Sequence, residues 1–155
     1  MIDYSAVYHH GVRVPDLDLA MAEVGNALGL TWCEPQVREQ SVWLPDQGET
    51  NIPLRFTYSR QGPQRVELLE GAPGSIWDGR DVPGLHHIGV WSDDVAGDSA
   101  ALVAVGWTLR LAQLAPDKGY GGFTYVQPPS GLIVELVSSH IRPMFERWFA
   151  GGSLA

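Results

Sequence analysis

The pattern of hydrophobic and polar positions divides the chain into two blocks that predict the same order of elements. In the first block, residues 8–14 form a strand-like segment that stops before Pro15. Apolar positions at helical spacing then predict a helix, whose apolar face would consist of Leu17, Met21, Val24 and Leu28. Three strand-like segments follow between Gly- and Pro-containing turns, at residues 41–44, 54–58 and 65–71.

The second block repeats this order after a segment rich in Gly, Pro and Asp. A strand-like segment at residues 85–91 precedes a helix with apolar positions at Val95, Leu102 and Val105. Three further strand-like segments follow, at residues 107–113, 123–127 and 132–139. The tail is amphipathic at helical spacing and predicts a short final helix.

Each block therefore predicts a β-α-β-β-β module, and an internal repeat of this kind largely determines the architecture. We expect an α+β fold in which both modules share a single domain, residues 1–155. Its parts would be a first module at about 5–71, a linker at 72–84, a second module at 85–139 and a tail helix at 140–150.

A histidine pair followed closely by a glycine occurs at the start of each block. The first block contains VYHHGVRVPDLD and the second contains GLHHIGVWSDDV. Aligning the glycines at positions 11 and 89 pairs His9 with His87, 78 positions apart (87 − 9). Because successive side chains of a strand point to opposite faces, we expect His10 and His86 to point away from these two.

The triplet VEL near the end of each block pairs Glu67 with Glu135, 68 positions apart (135 − 67). A carboxylate within an apolar strand is costly to bury unless another group compensates its charge. A solvent-exposed sheet face would explain any one of these His or Glu residues taken alone. Two His and two Glu at matching positions instead favour one shared site for a divalent metal ion, such as Zn, Ni, Co, Mn or Fe.

These motifs, with ALGL at the end of the first predicted helix and PPSGLIVEL near the last strand, resemble the vicinal oxygen chelate superfamily. That superfamily includes glyoxalase I, methylmalonyl-CoA epimerase, extradiol dioxygenases and bleomycin-resistance proteins. The resemblance implies paired modules that form a cupped mixed sheet around a metal, and a homodimer. It places four residues at the family's ligand positions: His9, Glu67, His87 and Glu135. It further implies that substrate oxygens complete the coordination while Glu135, or Glu67, moves a proton.

The sequence departs from the epimerase branch of that family in two places. A second carboxylate base of the epimerases has no counterpart in residues 51–59, which contain no Asp or Glu. The turn PPSG replaces a Lys-bearing turn that the epimerases often place near coenzyme A. Both departures argue against a two-base epimerisation of an acyl-CoA substrate.

Aromatic and cationic residues are candidates for the lining of a substrate cavity. Strand parity places Arg13 on the face of His9, and Trp91 on the face of His87. Further candidates are Phe56, Tyr58, Trp77, Tyr120 and Phe123. Core packing would explain each of them alone, but together they favour an apolar or aromatic carbonyl compound as the substrate. Lys118, in a Gly-rich loop, could either close over a bound anion or stay solvated.

Composition narrows the possible partners. The formal net charge is −8, and no run of Lys or Arg reverses it locally, which argues against nucleic acid and anionic membranes. Cys33 is the single cysteine, so the chain cannot form an internal disulfide. Its apolar runs are short and it starts without a signal-peptide pattern, so we expect a cytoplasmic protein.

Three functions are compatible with these observations. The first is a metal-dependent lyase or isomerase of the glyoxalase or epimerase type, which stabilises an enolate of a carbonyl substrate while a carboxylate moves a proton. The second is a metal-free protein that sequesters an apolar or aromatic small molecule, as bleomycin-resistance proteins do. The third is a metal-dependent oxygenase.

Overall fold

The structure is a computed structural model and describes residues 2–154, so the predicted domain limits Met1 and Ala155 lie outside the described residues. The first module contains β1 (Val7–Arg13), α1 (Leu17–Leu28), β2 (Gln36–Leu44), β3 (Gly48–Tyr58) and β4 (Arg65–Gly71). The second contains β5 (Gly84–Ser92), α2 (Val95–Ala104), β6 (Thr108–Ala112), β7 (Phe123–Gln127) and β8 (Val134–Ser138). A final helix, α3 (Arg142–Phe149), follows.

The eight strands form one mixed sheet that closes into a barrel, in the order β1-β4-β3-β2-β6-β7-β8-β5. Within each module the first and last strands are parallel, and the other neighbours are antiparallel. The modules meet along β1 and β5, which pair over most of their length, whereas β2 and β6 join through the single pair Trp43 and Ala112. The predicted α+β fold with a cupped mixed sheet is confirmed, and the sheet curves far enough to close.

Local chemistry explains where α1 and α2 begin and end. The side chain of Asp16 accepts a hydrogen bond from the amide of Leu19, and Asp94 does the same for the amide of Gly97. The first helix ends at Gly29, whose φ of 67° is in the left-handed region that favours glycine. Both helices lie outside the barrel. No helix within residues 2–154 has the length and hydrophobicity needed to cross a membrane.

The second and third strands begin well before their predicted starts, at Gln36 and not near residue 41, and at Gly48 and not near residue 54. The second strand pairs with β3 over its whole length, from Gln36 opposite Phe56 to Leu44 opposite Gly48. Its first half is largely exposed and charged, so the hydrophobic alternation that marks a half-buried strand is missing there. Backbone pairing with β3, which leaves no trace in hydropathy, defines this part of the strand.

Aromatic side chains fill the barrel interior, and the tail helix α3 covers one end of it. Trp148 and Phe149 are buried there, with ring centroids 5.5 and 5.4 Å from the ring of Tyr58. Cys33 is buried beside this helix, and its thiol donates to the carbonyl of Trp148. The last helix thus closes the space that the strands enclose.

Candidate metal centre and its cavity

The structure brings together the two histidines and two glutamates that the sequence repeat selects. Nε2 of His9 lies 3.0 Å from Nε2 of His87 and 2.9 Å from Oε2 of Glu135. Oε2 of Glu67 lies 3.3 and 3.2 Å from the same two nitrogens, and Oε2 of Glu135 lies 3.3 Å from His87. All four residues are buried, and one ligand atom from each lies within 4.8 Å of every other.

Each glycine of the histidine motifs makes room for the imidazole of the other module. Gly11 lies opposite His87 across the β1–β5 pairing, and Gly89 lies opposite His9. A Cβ on Gly11 would stand 2.0 Å from Cε1 of His87, and one on Gly89 would stand 1.8 Å from Cε1 of His9. The motif repeats because each module supplies one imidazole of the cluster and the gap for the imidazole of the other module.

Two β-bulges change the side-chain parity next to these histidines. The β1–β5 register shifts once between Val7 and His9, and once between Gly11 and Val12. Tyr8 is the extra residue at the first shift and His86 the extra residue at the second, again 78 positions apart (86 − 8). Nδ1 of His86 lies 2.9 Å from Nδ1 of His87, so the prediction that these two side chains point to opposite faces is wrong.

Charge complementarity within the cluster shifts the pKa values of its members. Burial opposes the charged form of His87, but hydrogen bonds and charge from Glu135 and Glu67 outweigh it and raise its pKa to about 9. Burial also opposes ionisation of Glu67, yet the charges and hydrogen bonds of His9 and His87 lower its pKa to about 2. The pKa of His9 is raised and that of Glu135 is lowered for the same reasons. A cation that binds here displaces protons from the imidazoles.

The cluster fits a divalent metal ion. Such ions bind imidazole nitrogen and carboxylate oxygen at about 2.0–2.2 Å, so neighbouring ligand atoms around one ion lie roughly 3 Å apart. The nitrogen-to-oxygen separations here, 2.9–3.3 Å, have that value. Oε2 of Glu67 is buried 3.3 and 3.2 Å from the two Nε2 atoms but makes no well-aligned hydrogen bond to either. A buried carboxylate oxygen in this position is a suitable donor for a cation.

A cavity of about 250 Å³ opens onto Glu67 and Glu135. Four residues predicted to bind substrate lie on its wall: Phe56, Tyr58, Trp77 and Phe123. Sequence reasoning missed other parts of the wall, including Arg38 and Gln40 of β2, Gln113 after β6, and Met144 and Phe145 of α3. The wall is mostly aromatic and aliphatic, so it suits an apolar molecule.

Three other predicted substrate-binding residues do not line this cavity. Arg13 donates from Nη1 to the carbonyl of Ile76 at 3.2 Å. Trp91 stacks on Tyr8, the extra residue of the first bulge, with ring centroids 3.8 Å apart. The ring of Tyr8 therefore lies between Trp91 and the cavity. Tyr120 has φ of 66° in a turn of the loop after β6, away from the wall. In that loop Lys118 forms an ion pair with Glu49 and is exposed.

Two tyrosines complete a pseudo-symmetric set around the cluster. Tyr58 lies directly opposite Glu67 on the neighbouring strand, and Tyr125 lies opposite Glu135 in the same way. Their rings lie 5.1 Å from His9 and 4.8 Å from His87. Tyr125 was missed at the sequence level, although the triplet FTY at 56–58 recurs at 123–125, 67 positions later (125 − 58).

The hydroxyl of Tyr125 is held as a hydrogen-bond donor. Nε1 of Trp77 donates to its oxygen at 2.9 Å, which leaves the hydroxyl proton for another acceptor. Burial and the charges of Glu135 and Glu67 raise the pKa of Tyr125 well above its usual value. The pKa of Tyr58 is raised in the same way, mainly by burial and next by the charge of Glu67. Both hydroxyls therefore stay protonated beside the cluster.

Comparisons with known proteins agree with this architecture. Methylmalonyl-CoA epimerase of Streptomyces coelicolor, solved as a variant in complex with 2-nitronate-propionyl-CoA, has a similar fold with a TM-score of 0.59 and 23% identity, covering 86% of this chain and 94% of that chain. The methylmalonyl-CoA epimerase of Mycobacterium tuberculosis has a TM-score of 0.59 and 20% identity, covering 89% of this chain and 92% of that chain. A hypothetical protein of Bacillus halodurans C-125 has a TM-score of 0.56 and 18% identity, covering 86% of this chain and 93% of that chain.

Sequence comparison identifies the family more directly than these distant structures. No curated protein is significantly similar to the chain in sequence. The family described as the Glyoxalase/Bleomycin resistance protein/Dioxygenase superfamily matches residues 8–125, a span that includes both histidine motifs and the first VEL triplet. The chain therefore belongs to the Glyoxalase/Bleomycin resistance protein/Dioxygenase superfamily.

Proposed function

We propose that the protein is a metal-dependent lyase or isomerase that acts on a small carbonyl compound. The observation that carries this proposal is the buried cluster of two imidazoles and two carboxylates that faces the cavity. Its four members would hold a divalent ion: His9, Glu67, His87 and Glu135. The bound ion would supply Lewis-acid chemistry to two oxygens of the substrate.

The two glutamates are the groups that would move a proton. Among the described residues that line the cavity, only Glu67 and Glu135 carry a carboxylate, and both belong to the cluster. This supports removal and return of a substrate proton by a carboxylate of the cluster. The hydroxyls of Tyr58 and Tyr125 would donate hydrogen bonds to the substrate oxygen on which negative charge develops.

The cavity wall supports an apolar or aromatic substrate. Side chains such as Leu54, Phe56, Trp77 and Phe123 exclude water from the region next to the glutamates. A volume of about 250 Å³ lies just below the usual range for small-molecule sites, roughly 300–1,000 Å³, and so favours a compact molecule. A cytoplasmic location and a homodimer are further expectations, and light scattering of the purified protein would test the second.

Metal content is the most direct test. We expect about one transition-metal ion per chain after purified protein is loaded with Zn, Ni, Co, Mn or Fe(II) and excess metal is removed, measured by inductively coupled plasma mass spectrometry. His9→Ala and Glu135→Ala should lose the ion, because each removes one donor of four. His10→Ala is the matched control, since His10 follows a ligand in sequence but is absent from the cluster.

Persistent lack of bound metal after loading, in a folded wild-type protein, would overturn the proposal and favour the metal-free binding function. Oxygen consumption by Fe(II)-loaded protein in the presence of aromatic ligands would instead indicate an oxygenase.

A further inference from the structure

We infer that His86 is a positioning residue for the metal centre, which orients His87 and holds its proton on Nδ1. This inference rests on the proposed metal-binding function and adds a residue outside the set of ligands. The contact that carries it is the 2.9 Å separation between the two Nδ1 atoms of these adjacent residues. Both residues are buried, with 0% of His87 and 8% of His86 exposed, so water competes little for this bond.

Which of the two histidines donates this hydrogen bond follows from the position of Nε2 of His87. Nε2 of His87 points into the cluster, 3.2 and 3.3 Å from the two carboxylates, and a cation there requires its lone pair. A neutral imidazole carries a single N–H, so the proton of His87 lies on Nδ1. His87 therefore donates and His86 accepts. Histidine ligands of metals usually donate their second N–H in this way, which sets both the tautomer and the ring orientation.

The bulge in β5 is what allows two adjacent side chains to meet. Regular strand geometry would place His86 on the outer face of the barrel, opposite to His87. The register shift adds His86 as the extra residue and turns it inward. Its ring then packs edge-on against Tyr125, with centroids 5.3 Å apart, and this contact fixes the position of the acceptor.

The first module provides an internal comparison, because its bulge carries a residue that cannot do the same. Tyr8 occupies the matching position, and its ring stacks on Trp91. Nδ1 of His9 is buried without any hydrogen-bond partner among the described residues. The two histidines therefore differ on the side away from the cluster: Nδ1 of His87 makes a hydrogen bond there, whereas Nδ1 of His9 makes none among the described residues.

Three substitutions of His86 distinguish the effect of losing its hydrogen-bond acceptor from the effect of changing the size of its side chain. His86→Asn keeps an acceptor oxygen at the δ1 position, and His86→Leu has a similar shape without any acceptor. His86→Phe keeps a ring against Tyr125 and also removes the acceptor, so it covers the case in which Leu disturbs packing. His10→Leu is the control for loss of a neighbouring imidazole. Thermal unfolding of the metal-free variants checks that each one folds.

Co(II) titration followed by absorption spectroscopy measures the effect on the site. We expect His86→Leu and His86→Phe to weaken Co(II) affinity by about 10–100-fold, the usual effect of losing such a partner. His86→Asn should stay within a few-fold of wild type, and His10→Leu should not change it. Proton NMR of the Co(II) protein should also show a shifted, exchangeable Nδ1–H signal from His87 that persists in His86→Asn and is lost or broadened in the other two.

The outcomes distinguish this inference from the proposed function. If wild-type protein fails to bind Co(II), the metal-binding function itself is wrong. If wild type binds Co(II), and folded His86→Leu or His86→Phe binds it equally tightly with the Nδ1–H signal unchanged, then His86 does not position His87. Equal loss of affinity in all three variants would also overturn the inference, because the acceptor would then be irrelevant.

Discussion

The two modules place the same types of side chain around the cluster but support them differently. In the second module the supports are polar: His86 contacts Nδ1 of His87, and Trp77 donates to the hydroxyl of Tyr125. In the first module they are mainly ring contacts, because Tyr58 packs among Phe145, Trp148 and Phe149 of the tail helix. Nδ1 of His9 has no partner among residues 2–154.

This difference shows which features a duplicated site must keep and which can diverge. The donor atoms and the opposing glycines are shared, since each imidazole can reach the centre only where the other strand lacks a Cβ. The groups behind the donors need not match, because hydrogen bonds and close packing can both hold a side chain in place. A matched pair of substitutions, one in each module, therefore tests which properties of the site are symmetric.

Substituting the two glutamates should have the largest effect. We expect Glu135→Gln to reduce proton exchange by about 10²–10⁴-fold, because under the proposed function it removes a carboxylate that would both bind the metal and move the proton. The measurement is deuterium uptake from D₂O into a panel of aromatic α-hydroxy ketones, followed by NMR with metal-loaded protein. Glu67→Gln is the matched variant, and a smaller loss there would assign the proton transfer to the second module.

If Glu135→Gln binds metal and exchanges the proton at the wild-type rate, then Glu135 is not the base. Circular dichroism of both variants controls for loss of folding.

The next largest effect should come from the glycines that face the imidazoles. Gly11→Ala and Gly89→Ala would place a methyl group 2.0 and 1.8 Å from a ring carbon of His87 and His9. Both rings are fully buried and cannot move aside without a shift of the strands. We expect each change to lower the free energy of unfolding by about 1–3 kcal/mol, the usual effect of overpacking, and to weaken metal binding strongly. Urea unfolding and a Co(II) titration measure the two effects.

Similar effects in both variants would confirm that the glycine gaps are a symmetric property. Normal metal affinity in either one would contradict the role assigned to that glycine.

A smaller and graded effect is expected from pH. The pKa of His87 is raised to about 9 in the metal-free protein, so its contribution to stability is fully present below its ordinary pKa and disappears as pH rises through about 9. The pKa of Glu67 is lowered to about 2, so its contribution is present above its ordinary pKa and disappears as pH falls through about 2. A metal ion must displace the imidazole protons, so its affinity should rise with pH up to about 9.

The gap in melting temperature between metal-loaded and metal-free protein should therefore widen as pH rises from about 6.5 to about 9. Calorimetry at several pH values measures this gap. A gap that stays constant over that range would mean that metal binding does not compete with protons on these histidines.

The sequence predicted the parts of the site that repeat, and failed where regular geometry is interrupted. The aligned glycines select His9 and His87, and the second FTY triplet marks Tyr125 by the same repeat. Strand parity predicts the wrong face for His86, because it assumes an unbroken register and no residue type marks a bulge in advance. Arg13 and Trp91 are absent from the cavity wall for another reason: Arg13 donates to the carbonyl of Ile76, and the ring of Tyr8 covers Trp91.

The fold itself was predictable in its order of elements but not in its closure. Hydropathy identified both β-α-β-β-β modules, because strands and helices differ in the period of their apolar positions. It could not show that α3 covers the cavity with Met144 and Phe145, since a short amphipathic tail is compatible with many docking positions. Nor could it show that β2 and β6 meet.

The contact between β2 and β6 makes the two junctions between the modules unequal in backbone pairing. Along β1 and β5 the modules are joined by a long ladder that also carries both imidazoles, whereas on the far side a single pair, Trp43 and Ala112, completes the ring of strands. Gln40 and Gln113 of the cavity wall lie beside this weak joint. Parting the strands there would break few backbone hydrogen bonds and would leave intact the β1–β5 ladder that carries the imidazoles.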